Sequence, residues 1–438
     1  MASIFPTPRR GMRPGKGAGG LALILIGGVA VSAMMAPSAS AQSLQDLKAQ
    51  IDALQRKVAD LEQKQKQNSK KVAKAVTGGA AKGSFMLPGT STSVKIGGYV
   101  KGDAIYTDGN GQAIGDSFFA GAIPVDGEAA KNRSGHTRLH ARQSRLYVKT
   151  WTPTPFGTLK THIEGDFFGT GGNENVSNST SLRLRHAYGK LGNFLAGQTW
   201  STFMDLASLP PTVDFEGPAG QIFVRQAQLR YTMPFEGGSF AVAIENPEGD
   251  ISGDGGNNID RLPDFIARAR LNRSWGGVHL AGLVRQLRFD DGTNEDSETG
   301  WGVNLAGNVK TFGKDKAFGQ ITYGDGIGRY IEGGSGLGGV LVSNNIDAIK
   351  IVGGFAGYTH YWADNLQSTL VYGRTQFDNP SSLGSGATEY IQTVHVNLMW
   401  QPVTAVNLGL EFIWGQRQEE SGADGDAKRV QFGAKYSF

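Results

Sequence analysis

From Ser93 to the last residue, apolar and polar side chains alternate one by one in runs of roughly ten, each run closed by a turn. "SVKIGGYVKGDAIYTD", "SLRLRHAYGKLG", "DFIARARLNRSW" and "AKRVQFGAKYSF" are four such runs, and sixteen can be counted. The connections alternate as well. "TPTPF", "GN", "EGG" and "ADN" are tight, whereas "DDGTNEDSET" and "NPSSLGSGAT" are long and polar. Short turns on one rim and long loops on the other predict an all-β transmembrane fold, a 16-stranded antiparallel β-barrel over residues 93–438. A soluble β-sandwich is the rival. It needs two apolar inner faces, and these strands carry one apolar and one charged face. Tyr99, Trp151, Phe156, Trp275, Trp362, Trp400 and Phe438 lie near strand ends, where aromatic belts meet lipid headgroups. Phe438 ends the final strand, and pairing it with the strand that starts near Ser93 leaves no exposed edge.

A different period precedes the barrel. Leu44, Leu47, Ile51, Leu54, Val58 and Leu61 recur at alternating spacings of three and four, the a/d seam of a short coiled coil over residues 42–67. The seam predicts association of helices without fixing their number. Residues 68–92 lose it and read as a basic, Gly-containing linker. Residues 1–41 read as a signal peptide, with Arg9, Arg10, Arg13 and Lys16 before a short apolar run and "ASA" before Gln42.

Removing that segment changes the charge balance. The 43 Lys and Arg fall to 39, equal to the 39 Asp and Glu, so the basic balance of the whole chain is no nucleic-acid footprint. No cysteine is present, which excludes disulfides, thiolate metal sites and thiol catalysis. No GxSxG elbow, P-loop or HExxH helix occurs, and the seven histidines are scattered, so neither an enzyme nor a metal or other cofactor is expected. Asp290, Asp291, Glu295, Asp296 and Glu298 form an acidic loop that reads as a solvated tip rather than a Ca²⁺ site bridging lipopolysaccharide.

Alternation assigns the faces. Leu182 and Leu184 share one face and Arg183 and Arg185 the other. By the same rule Arg145, Tyr147 and Lys149 point inward, as do Arg230 with Gln226 and Gln228, and Arg268 with Arg270. Arginine at the lipid midplane would cost about 2–4 kcal/mol, which decides the direction. His279 and Arg285 follow the inward register, although Leu283 and Leu287 share it. These basic residues gather on the second, fourth, sixth and eighth strands as one wall. Guanidinium groups there would select carboxylate or phosphate. The loop "MDLASLPPTVDFEGPAG", with Asp205, Asp214 and Glu216, is apolar enough to fold into the lumen. Its acids are expected opposite the arginines, giving a transverse field across a constriction. Glu164 and Asp166 share that lumen.

Together, "FMLPGTSTSVKIGGYVKGDAIY", "RQSRLYVKTWTPTPFGTLKTHIEGDFFG", "LRLRHAYGKLGNFLAGQTWSTFMDLASLPPTVDFEGP" and "QFGAKYSF" resemble the DcaP-like trimeric porins of Gram-negative outer membranes. The resemblance implies a homotrimer whose helices form a periplasmic coiled coil, and uptake of small anionic solutes, dicarboxylates foremost. It supports the same arginines as lumen residues and "QTWSTFMD" as the start of the constricting loop. Expected partners are the lipid bilayer and lipopolysaccharide, and the barrel-assembly machinery through the C-terminal aromatic. The insert "EGGSGLGGVLVSNN" departs from the family pattern. A phosphate-selective or general diffusion porin is the nearest alternative. A non-conducting tether or adhesin is a reading of another class.

Overall fold

The computed structural model describes residues 44–133, 135–170, 177–332 and 336–438. The expected signal segment lies outside them. The chain divides into two compact units, Met1–Asn68 and Ser69–Phe438.

In the first unit the helix α1 begins at Leu44, and it continues to Thr77. The expected linker is therefore helical for its first ten residues. Lys and Ala there favour a helix, and Gly78 and Gly79 end it. Ile51, Leu54, Val58 and Leu61 are 49–62% exposed, an unpartnered stripe on a single chain. Leu44 and Leu47 begin the same helix, with side chains outside the described set.

In the second unit, sixteen antiparallel strands close into a barrel. They are β1 Ser93–Asp108, β2 His136–His140 with Arg145–Thr154, β3 Gly157–Asp166, β4 Arg183–Leu191, β5 Phe194–Trp200 and β6 Arg225–Phe235. Next come β7 Gly238–Glu245, β8 Asp264–Arg273, β9 Gly276–Asp290, β10 Glu295–Lys310 and β11 Lys316–Asp325. Last are β12 Lys350–Ala363, β13 Leu366–Asp378, β14 Thr388–Val403, β15 Val406–Glu419 and β16 Asp424–Ser437. Each pairs with its neighbour, and β16 pairs with β1. The Phe438 amide and carbonyl exchange hydrogen bonds with Gly98, at 3.1 and 3.2 Å.

The faces follow the alternation. Leu146, Leu184, Leu229, Phe265 and Val284 are exposed on the outer wall, while Ile266, Leu283 and Leu287 are buried within. Leu283 and Leu287 share the inward register of His279 and Arg285 because protein covers them from inside. Tyr99 departs from the aromatic belt: it faces the lumen, with the Arg145 guanidinium 5.1 Å from its ring centre.

The lumen is only partly open. Residues 109–133, 201–224, 326–332 and 336–349 fold inward and build an apolar core against β8–β16. Ile114, Phe118, Ile123, Phe203, Ile222, Ile327 and Tyr330 pack there with Ile351, Ile391 and Ile413 of the wall. Bare backbone permits the close approach. A Cβ on Gly373 would collide with the Ala219 carbonyl, and one on Gly415 would lie 2.5 Å from the Phe118 ring. The end of the insert that departs from the family pattern forms a hairpin with the residues after it, Gly339–Val342 with Asn345–Ala348, joined to Ile251–Ser252 in a separate three-stranded sheet.

Candidate functional site: a basic luminal wall

The strands β2–β8 carry the charged side of the lumen, and register decides which charges meet. Asp166 on β3 lies opposite Arg183 on β4 and accepts its Nε and Nη2 at 3.0 and 2.9 Å. A β-bulge follows between Glu164 and Gly165. It makes Arg185 the extra residue, so Arg185 and His186 are both buried within the barrel wall's inner side. Arg185 donates to Glu164 at 2.9 Å and to Asp166 at 2.8 Å, and Arg145 reaches Glu164 at 3.2 Å. Three arginines thus share two carboxylates in a tight network.

A second group is not neutralised in this way. Arg225, Arg230 and Arg268 form no ion pair among the described residues, and each keeps a buried N–H without a hydrogen-bond partner. Unsatisfied guanidinium N–H groups are costly unless something accepts them. Arg230 and Arg268 lie either side of β7, opposite Ala243 and Ala241. The methyl side chains leave room between the two cations. Arg225 stacks on Trp200, 4.3 Å from the ring centre.

Lys149, Arg230, Arg268 and Arg270 line one cavity of about 610 Å³ with His162, His186, Tyr188 and Trp200. The loop residues Met204 and Asp205 line it too. Sequence reasoning missed the histidines. Their rings stack at 5.2 Å, and His186 Nδ1 lies 3.0 Å from Thr199 Oγ1. His162 was legible from alternation with Glu164, whereas His186 is turned inward by the bulge. A larger hollow of about 1140 Å³ lies on the outer wall and is lined chiefly by aliphatic and aromatic side chains such as Leu229, Ile244 and Phe265. That surface suits acyl chains.

The acids of the constricting loop do not face the arginines as a row. Asp205 pairs with Arg270 on the same wall, and Lys316 Nζ donates to the Ala207 carbonyl at 2.8 Å. Asp214 turns to the far wall, where it accepts from the Phe118 amide at 3.0 Å and lies 3.6 Å from Arg429. Glu216 sits beside Glu332 of the inward insert. Buried Glu411 on β15 accepts from the Val213 amide at 2.6 Å and from Asn397 at 3.0 Å. These carboxylates anchor the loop, and instead of the expected row of acids opposite the arginines each acid has its own partner, Arg270 for Asp205 and the Phe118 amide with Arg429 for Asp214. The acidic tip is likewise used locally: Asp291 caps its own turn and Asp296 accepts from the Ile346 amide at 2.6 Å.

Known proteins share this architecture. The outer membrane channel DcaP of Acinetobacter baumannii superposes with a TM-score of 0.71 at 28% identity, over 80% of this chain and 98% of that one. Porin Omp2b of Brucella abortus is 26% identical over 240 residues, 52% of this chain and 58% of Omp2b, so the match spans little more than half the length of that relative. An anion-selective porin from Comamonas acidovorans shares the fold at 14% identity and a TM-score of 0.53. A family model for the DcaP outer membrane protein matches residues 30–438, and the chain belongs to that family of outer-membrane channels.

Proposed function

We propose that this porin gives passive, anion-preferring diffusion of small solutes, with dicarboxylates the favoured class, through the cavity bounded by Lys149, Arg230, Arg268 and Arg270. One observation carries the reading: Arg230 and Arg268 lack carboxylate partners while their neighbours Arg145, Arg183, Arg185 and Arg270 have them. Two cations separated by the small residues of β7 suit a solute with an acceptor at each end, since each guanidinium can grip a carboxylate through parallel hydrogen bonds. The anion-selective Comamonas porin on the same fold agrees with this direction.

The exposed a/d stripe of α1 supports self-association through the helices, a homotrimer with its coiled coil in the periplasm. The outer wall meets lipid and lipopolysaccharide, and the strand ending in Phe438 is the segment offered to the barrel-assembly machinery. The purified assembly in a planar bilayer is expected to conduct, with a reversal potential in a KCl gradient on the anion side. Its current should be blocked by succinate more strongly than by acetate or phosphate. Stronger block by phosphate would favour the phosphate-selective alternative. Absence of conductance would favour a tether.

A further inference from the structure

The segment Ile327–Glu332 follows β11 and opens the insert that departs from the family pattern. Instead of rising from the rim, it enters the lumen. Ile327 and Tyr330 are 0% and 1% exposed. Ile331 forms an antiparallel bridge with Ile222, the Phe223 amide donates to the Tyr330 carbonyl at 3.2 Å, and the Glu332 amide donates to Gln221 at 2.9 Å. The constricting loop is therefore bridged, backbone to backbone, by a different part of the chain.

Polar contacts fix this pair to the wall. The Tyr330 hydroxyl donates to Asp264 at 2.6 Å, and its ring meets Phe203 edge-on at 5.7 Å. Arg329 donates to Gln226 at 2.9 Å and to the Asn246 carbonyl at 3.3 Å, with Asp250 and Asp264 at 3.8 and 3.9 Å. A loop held by a buried aromatic, an arginine and a backbone bridge occupies cross-section permanently, unlike a solvated rim loop.

We propose that Ile327–Glu332 is a second size-selecting element, which narrows the long-loop half of the pore and sets the upper limit of solute size apart from the charge selection by Arg230 and Arg268. The inference rests on the chain being an open pore, so wild-type conductance is measured first, and its absence would overturn that reading rather than this one. Uncharged sugars of increasing size in liposome swelling read bore without reading charge. Tyr330→Ala with Ile331→Ala removes the buried anchor. The size limit should move to larger sugars and single-channel conductance should rise about twofold, as the constriction that dominates a wide pore is relieved. Heat-modifiable migration checks assembly. Should the double variant fail to assemble, Arg329→Ala, which leaves the aromatic in place, should shift the limit in the same direction by less. A conducting, assembled variant with the wild-type sugar limit would overturn the proposal.

Discussion

The two halves of this lumen use opposite means to occupy a cylinder. Across β2–β8 the inward residues are long and charged, and they fill space with ion pairs around Glu164 and Asp166. Across β9–β16 small and aliphatic side chains such as Ala306, Ile351, Val371, Ile391 and Ile413 alternate with buried polar ones such as Arg285, Asn304, His395, Glu411 and Arg429, and three loops pack onto them as onto the core of a soluble domain. The difference teaches where a solute can pass. On the proposed function the path lies along the wall where Arg230 and Arg268 have no carboxylate partner, because there an anion would supply the missing acceptor. In the packed half the buried arginines have carboxylates close by, with Asp264 3.5 Å from Arg285 and Asp290 3.0 Å from Arg288. Even Arg429, fully buried, is held there between Thr107, the Gly115 carbonyl and Asp214.

This contrast makes unequal predictions for arginines that alternation alone treats alike. The largest effect belongs to Arg230→Ala with Arg268→Ala. Charged hydrogen bonds are worth about 1.5–3 kcal/mol each, so dicarboxylate block should weaken by at least about tenfold. Arg183→Ala, which removes a group already bonded to Asp166, should change it far less. Equal effects in block titrations would erase the distinction between paired and unpaired cations. Next in size is Glu164→Gln, which leaves Arg145 without its carboxylate and Arg185 with Asp166 alone. The reversal potential should move further toward the anion side, and a move the other way would mean the network only supports the wall.

The smallest effect concerns pH. Burial pushes the Asp250 carboxyl in the loop before β8 up to about 6, with Arg285 and then Arg329 opposing the shift. A raised carboxylate pKa means the folded loop holds its proton more tightly than the unfolded chain, so this contribution to stability is lost as pH rises through about 6. Amides around Ile251 should exchange more slowly at pH 5 than at pH 8 once intrinsic rates are corrected, and Asp250→Asn should flatten the difference.

Much of this was legible in the sequence. Alternation gave sixteen strands and their faces because lipid on one side and water on the other punish the same residue oppositely. What could not be read was register and loop fate. "RLRHAY" gives no sign of the bulge that turns both Arg185 and His186 inward, and nothing local tells Asp166 that Arg183 will be its cross-strand neighbour. The inward course of residues 109–133, 326–332 and 336–349 was equally hidden. Ile114, Phe118, Ile327 and Tyr330 are dispersed among glycines, and only the closed barrel brings them onto one surface. The acids of residues 201–224 were expected opposite the arginines, and their partners come from β8, β16 and two other loops.

Ala241 and Ala243 have the smallest inward side chains on β7, buried beneath the cross-strand neighbours Arg268 and Arg230 that, on the proposed function, share a guest. At such a position a single methylene more or less alters the gap directly, without disturbing strand pairing or the arginines themselves. Diversification of guest length among related channels would then proceed cheaply through these two alanines, while the charges that draw the guest in stay constant.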